Sequence, residues 1–164
     1  MTSALKRAIA ATAVLAIVAA FAAVAQDEAK AKKEHVILAP DDIKWGDAPP
    51  ILPAGAKAAL LDGDPKKEGY FVMRLKLPAG YKVAPHWHPG YERLTVISGK
   101  FHLGLGEKAD ESKMKALPAG GFFSLPPKTA HYAMTSEETV VQINTDGPWA
   151  LNYVNPSDDP SKKK

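Results

Sequence analysis

Two histidines one residue apart, His86 and His88, are followed by a carboxylate, Glu92, and much later by a further histidine, His131. Neutral imidazole and carboxylate are the ordinary ligands of a divalent transition metal. In an extended chain, residues two apart face the same side, so both imidazoles can enter one cavity and reach a shared ion at about 2.0–2.2 Å. Pro89-Gly90 then turns the chain, and Glu92 opens a strand on the face carried by Leu94 and Val96, the inward one by composition. A buried, unpaired carboxylate is costly, and a cation offsets that cost. His131 follows the turn Leu125-Pro126-Pro127-Lys128-Thr129, at the start of a strand that can lie beside the first pair. Such a donor set leaves positions open on the ion, which makes chemistry there feasible.

Each of these residues has a plainer reading taken alone. His86 and His88 beside Trp87 can be loop histidines, Glu92 a solvated strand residue and His131 a satisfied sheet histidine; the case for a metal rests on the set. The chain has no cysteine. Any metal is therefore held by nitrogen and oxygen, which excludes thiolate zinc, iron–sulfur and blue-copper sites and leaves iron, manganese, nickel, cobalt, copper or zinc. His102, opposite Phe101 and Leu103, points to solvent, and His35 lies outside the expected core. Tyr81, Trp87, Tyr91, Phe123 and Tyr132 are candidates for the pocket rim. Gln142 and Asn144, on one face of an apolar strand, either support a ligand from behind or face water.

The elements that must position these groups read as short strands. Phe71, Met73, Leu75 and Leu77 alternate with Tyr70, Val72, Arg74 and Lys76, the two-residue period of a half-buried strand. Residues 92–97 and 101–105 form a hairpin about Ser98-Gly99-Lys100, and 114–117, 122–125, 131–135, 139–145 and 149–154 complete the strong set. Residues 36–38, 43–45 and 56–61 are weaker candidates. Many short strands with Pro, Gly and Asp between them and almost no helix predict an all-β antiparallel sandwich or barrel.

At this point the chain resembles the cupin superfamily. The superfamily's first motif, G-x5-H-x-H-x3,4-E-x6-G, matches in full at Gly80, His86, His88, Glu92 and Gly99. The second is met in part: Gly120, Pro126 and His131 stand at the right intervals, but Lys128 replaces the usual glycine and Thr135 the usual asparagine. Neither departure removes a ligand, although Lys128 puts the usual turn before His131 in question. The resemblance implies a cupin-type antiparallel β-barrel (double-stranded β-helix or jelly roll) over residues 36–154. It implies a divalent metal on His86, His88, Glu92 and His131, with Glu92 also able to serve as a base, and pairing into a homodimer through an edge strand. The function it implies is a metal-binding domain whose ligand set can support oxygen-dependent cleavage, decarboxylation, isomerisation or sugar modification. A metal-dependent, dioxygenase-like oxidoreductase acting on a small organic substrate is the preferred expectation. The alternative is a non-enzymatic module that binds or senses a small ligand around a structural metal.

The ends bear on location. Lys6 and Arg7 precede an apolar run over residues 8–25 that closes on Ala23-Val24-Ala25 before Gln26, the pattern of a secretory signal peptide. The run is also long enough to serve as an anchor. Cleavage after Ala25 places the product in the periplasm or outside the cell, with residues 26–35 as a mobile lead-in and 155–164 as a loose tail. It removes two cations, taking the formal net charge from +3 to +1, and the remaining lysines are scattered or terminal. No concentrated basic patch points to nucleic acid. The expected partner is a small molecule, with no stable membrane span after cleavage.

Overall fold

The computed structural model describes residues 35–163. The fold described is that of the unit beginning at Leu38. Its strands are β1 (Gly46–Asp47), β2 (Lys57–Asp62), β3 (Gly69–Leu77), β4 (Lys82–Trp87), β5 (Glu92–Ser98), β6 (Lys100–Leu105), β7 (Lys115–Pro118), β8 (Phe122–Leu125), β9 (His131–Thr135), β10 (Thr139–Gly147) and β11 (Asn152–Tyr153). Two antiparallel sheets result, one ordered β1-β2-β3-β10-β5-β8 and the other β11-β4-β9-β6-β7. Neighbours distant in sequence, such as β3 beside β10, give the jelly-roll connectivity, and the all-β expectation is met.

The alternating pattern does the folding. In β3, Phe71, Met73, Leu75 and Leu77 are buried while Val72, Arg74 and Lys76 are half-exposed. β10 and β5 follow the same rule, with Val141 and Ile143 beside Leu94 and Val96. The second sheet adds Val83, Phe101, Leu117 and Ala133 to one continuous core. Fully burying a side chain of this size stabilises by about 1.5–3 kcal/mol.

Three local expectations change. Residues 36–38 and 43–45 form no strand: a 3-10 turn at Pro40–Asp42 interrupts them and only β1 follows. The run 149–154 shrinks to β11, because only Asn152 and Tyr153 find partners, on Trp87 and His86. Conversely β4 is a full strand, hidden in the sequence because its alternation breaks at Pro85. The β4–β9 register shifts between Val83 and His86. That bulge resets the phase, so core Val83 and buried His86, three residues apart, both face inward. The tail carries 3-10 turns at Pro156–Asp158 and Pro160–Lys162, with Asp159 buried between them.

Candidate metal centre

The two sheets bring the dispersed histidines together. His86 near the end of β4 pairs directly across from His131, the first residue of β9. His88 follows β4 by one residue, and Glu92 is the first residue of β5 in the facing sheet. All four are buried, at 4%, 2%, 4% and 6% exposure for His86, His131, His88 and Glu92. Ring centroids lie 4.1 Å apart for His86 and His131, 5.1 Å for His86 and His88, and 5.4 Å for His88 and His131. One nitrogen from each imidazole falls within 4.8 Å of the others.

The outward nitrogens explain which atoms face the centre. His86 Nδ1 donates to the Ala84 carbonyl at 2.8 Å, His88 Nδ1 to Ala150 at 2.8 Å, and His131 Nδ1 to Thr129 at 2.9 Å. A carbonyl only accepts, so every Nδ1 carries its hydrogen, and in the neutral ring each Nε2 is left to turn its lone pair inward. Glu92 Oε2 stands 3.0 Å from His131 Nε2, and Oε1 is 3.7 Å from His88 Nε2. His88 Nε2 and Glu92 Oε2 are nonetheless buried with no hydrogen-bond partner among the described residues. Buried polar atoms are rarely left that way. Converging imidazole nitrogens beside a carboxylate oxygen fit a divalent transition ion. A protonated His131 could hydrogen-bond Glu92 at 3.0 Å without one, but His88 Nε2 would still have no partner among the described residues.

The electrostatics agree. Burial, followed by repulsion from His131 and His88, pushes His86 down to about 3 from an ordinary 6.5. Burial also lowers His88, against the opposing pull of Glu92. Burial raises the Glu92 carboxyl, but His131, His88 and His86 together outweigh it, and the group stays ionised below the usual range. His131 moves the other way. Burial pushes it down, yet contact with Glu92 and the Thr129 carbonyl leaves it raised.

A cavity of about 40 Å³ opens beside these groups. Its walls are apolar, from Leu75, Leu77, Val83, Leu94 and Ile143 among others. Of the expected rim residues, Tyr81 and Phe123 line it, and Trp87, Tyr91 and Tyr132 do not. The Tyr132 hydroxyl instead donates to the Asp110 carbonyl, and Tyr91 is 46% exposed with Arg93 stacked over it. Gln142 and Asn144 face away from the centre: Arg74 donates to Gln142, Gln142 to Asn144 and Asn144 to the Tyr70 hydroxyl. His102 meets only Ser136. Trp149 is the residue that sequence reasoning missed. It lines the cavity and stacks on His88, and no periodicity marks it, because only the pairing of β11 with β4 brings its loop there.

Residues 11–152 match the family model described as "Domain of unknown function (DUF4437)". The chain belongs to this family. No curated protein matches it. Among solved structures, this DUF4437 chain is similar to the polyketide cyclase RemF from Streptomyces resistomycificus, with a TM-score of 0.65 at 15% identity over 79% of this chain and 92% of that one. An acetylacetone dioxygenase from Acinetobacter johnsonii gives 0.58 at 18% identity, covering 77% and 80%. An RmlC-like cupin from Shewanella frigidimarina gives 0.54 at 19%, covering 70% and 91%. Likeness at these identities shows the fold, that of the cupin or double-stranded β-helix superfamily. Among the described residues no helix is long and apolar enough to cross a membrane. The apolar run at 8–25, and with it the signal-peptide reading, lies outside the described residues.

Proposed function

We propose that this protein is a metal-dependent oxidoreductase, dioxygenase-like, acting on a small organic substrate, with His86, His88, His131 and Glu92 holding the ion. The observation that carries the reading is the convergence of inward-facing imidazole nitrogens whose Nδ1–H groups are all committed to backbone carbonyls. A bound divalent transition metal supplies Lewis acidity and, if redox-active, electron exchange with dioxygen. The chain's own groups do the rest. The backbone carbonyls fix the tautomer and angle of each imidazole. The apolar wall excludes bulk water and strengthens the electrostatics inside. Glu92, kept ionised by its histidine neighbours, accepts a proton from a substrate C–H or O–H brought against it.

The similarity to an acetylacetone dioxygenase supports the class of reaction and leaves the substrate open. One observation favours the second reading, a small-ligand binding or sensing module: among the described residues, Glu92 and the three histidines are the cavity's only strong acid–base groups. Elemental analysis of tag-free protein, followed by dioxygen uptake against a panel of phenols, thiols and dicarbonyl compounds, separates the two. Metal with substrate-dependent uptake supports the enzyme, and metal with ligand binding but no uptake supports the module. Absence of iron, manganese, nickel, cobalt, copper and zinc after loading sinks both. Export belongs to the same proposal, with residues 1–25 as the signal, 36–154 as a barrel-type domain and a homodimer as the product. Protein recovered from the periplasm or medium should begin at Gln26, and intact residues 1–25 on that material would overturn the cleavage.

A further inference from the structure

Three side-chain atoms are buried without a hydrogen-bond partner among the described residues: His88 Nε2, Glu92 Oε2 and Trp149 Nε1. An ion accounts for the first two, because each offers a lone pair. It cannot account for the third, which is a donor only. Trp149 lines the same cavity, its ring stacked on His88 at 5.4 Å and 22°. The next residue, Ala150, accepts from His88 Nδ1. The one loop therefore fixes both a proposed ligand and the unused donor.

The rest of the cavity offers that donor nothing to bind. Its wall is aliphatic and aromatic apart from the metal-facing groups and Tyr81, whose hydroxyl donates to the Pro53 carbonyl. A buried indole N–H ordinarily finds an acceptor. The acceptor left to it is an atom of whatever occupies the cavity.

We infer that Trp149 is a specificity-determining residue: its indole N–H hydrogen-bonds the acceptor end of a compact ligand whose other end meets the ion. This inference rests on the metal reading above. The volume of about 40 Å³ has room for about three water-sized groups, at roughly 10–15 Å³ each. The ligand class is thus a small anion or carbonyl-type group that reaches in with two to four heavy atoms, on the order of that room. With no lysine or arginine in the wall among the described residues, its charge is balanced at the metal.

The experiment uses azide as the probe, a linear anion of suitable size. Co(II)-loaded protein is titrated with azide and followed by visible absorption. Trp149→Phe keeps an aromatic ring against His88 and removes the N–H together with the pyrrole part of the indole. Expected are equal Co(II) uptake in both proteins and azide binding about tenfold weaker in the variant, the worth of one hydrogen bond. Equal azide affinities in the two Co(II)-loaded proteins overturn the role of Trp149 and leave the metal reading standing. Wild-type protein that takes up no Co(II) overturns both. Should Trp149→Phe fail to fold, the indole 1H–15N signals of the Zn(II)-loaded wild type decide, since the chain has only three tryptophans. One signal should move on adding azide and survive in Trp45→Phe and Trp87→Phe. No movement, or a moving signal that vanishes in either variant, overturns the inference.

Discussion

Lys128 takes a left-handed backbone, φ 62°, and donates its N–H to the His88 carbonyl at 2.8 Å. Among the described residues it is the only one other than glycine at positive φ. The turn that a glycine would make freely is therefore made by lysine, and it ties the loop before His131 to the loop carrying His88. Such a conformation costs an ordinary residue about 1–2 kcal/mol, while glycine in its place gives back roughly 0.5–1 kcal/mol through the unfolded chain. Lys128→Gly should thus be neutral or up to about 1.5 kcal/mol more stable in urea unfolding, and Lys128→Val clearly less stable. A glycine variant less stable by more than that margin would show that the lysine side chain, not the backbone, matters here. The proposed ligands give a second test. Loss of an outer partner typically weakens a metal site about 10–100-fold, so His131→Ala, which removes a direct donor, should weaken Zn(II) binding by more than that in competition titrations. Glu92→Gln should retain metal on the three histidines with a smaller loss. Metal affinity unchanged in both would dissolve the site.

At the scale of elements, the site depends on how strand ends are tied together. Thr135 closes β9 at 1% exposure; its hydroxyl donates to the Pro78 carbonyl at 2.6 Å and accepts from Tyr81 N–H at 3.2 Å. It therefore does, at a position where the superfamily motif has asparagine, the work of fastening β9 to the turn before β4. Thr135→Val keeps the shape and removes both bonds, leaving Tyr81 N–H and the Pro78 carbonyl only their 3.3 Å bond to each other, so it should cost about 1–2 kcal/mol in chemical denaturation. A cost near zero would mean that water replaces the hydroxyl. Gly99 shows the same dependence on backbone: at φ 78° an added Cβ would sit 2.4 Å from the Glu138 carbonyl oxygen. Much of this was readable from the chain. The alternation in β3, β5 and β10 identifies the core, and the motif spacing names all four polar groups that the sheets bring together. What escaped were features set by contact rather than local pattern. β4 is masked by the bulge at Pro85 that lets Val83 and His86 share a face. β11 is short because only two of its residues find partners. Trp149 enters the site through a pairing distant in sequence, which no local period records.

For the whole molecule, placing three imidazoles and a carboxylate inside an apolar core makes stability depend on pH and, on the proposed metal reading, on metal as well. His86 has a folded pKa of about 3 against an ordinary 6.5, so between those values the unfolded chain binds a proton that the folded one refuses. Stability then falls as pH falls through that window. His88 is lowered too and acts in the same direction, and Glu92, also lowered, adds a loss as pH drops through and below the ordinary carboxylate range. His131 opposes them: its raised value gives stability that is present in acid and lost as pH rises through its folded pKa. Two lowered histidines and a lowered carboxylate outweigh one raised histidine. The metal-free protein should therefore lose thermal stability progressively from about pH 6.5 towards pH 3. Binding needs every imidazole unprotonated, so metal at 100 times its Kd should add about 2.7 kcal/mol near neutrality, and this gain should shrink in acid as protons compete. Thermal melts of chelated and Zn(II)-loaded protein across pH 4 to 8 check both parts. A chelated protein whose melting point does not change between pH 7 and pH 4 would contradict the burial of neutral histidines, and a metal increment independent of pH would contradict their role as ligands.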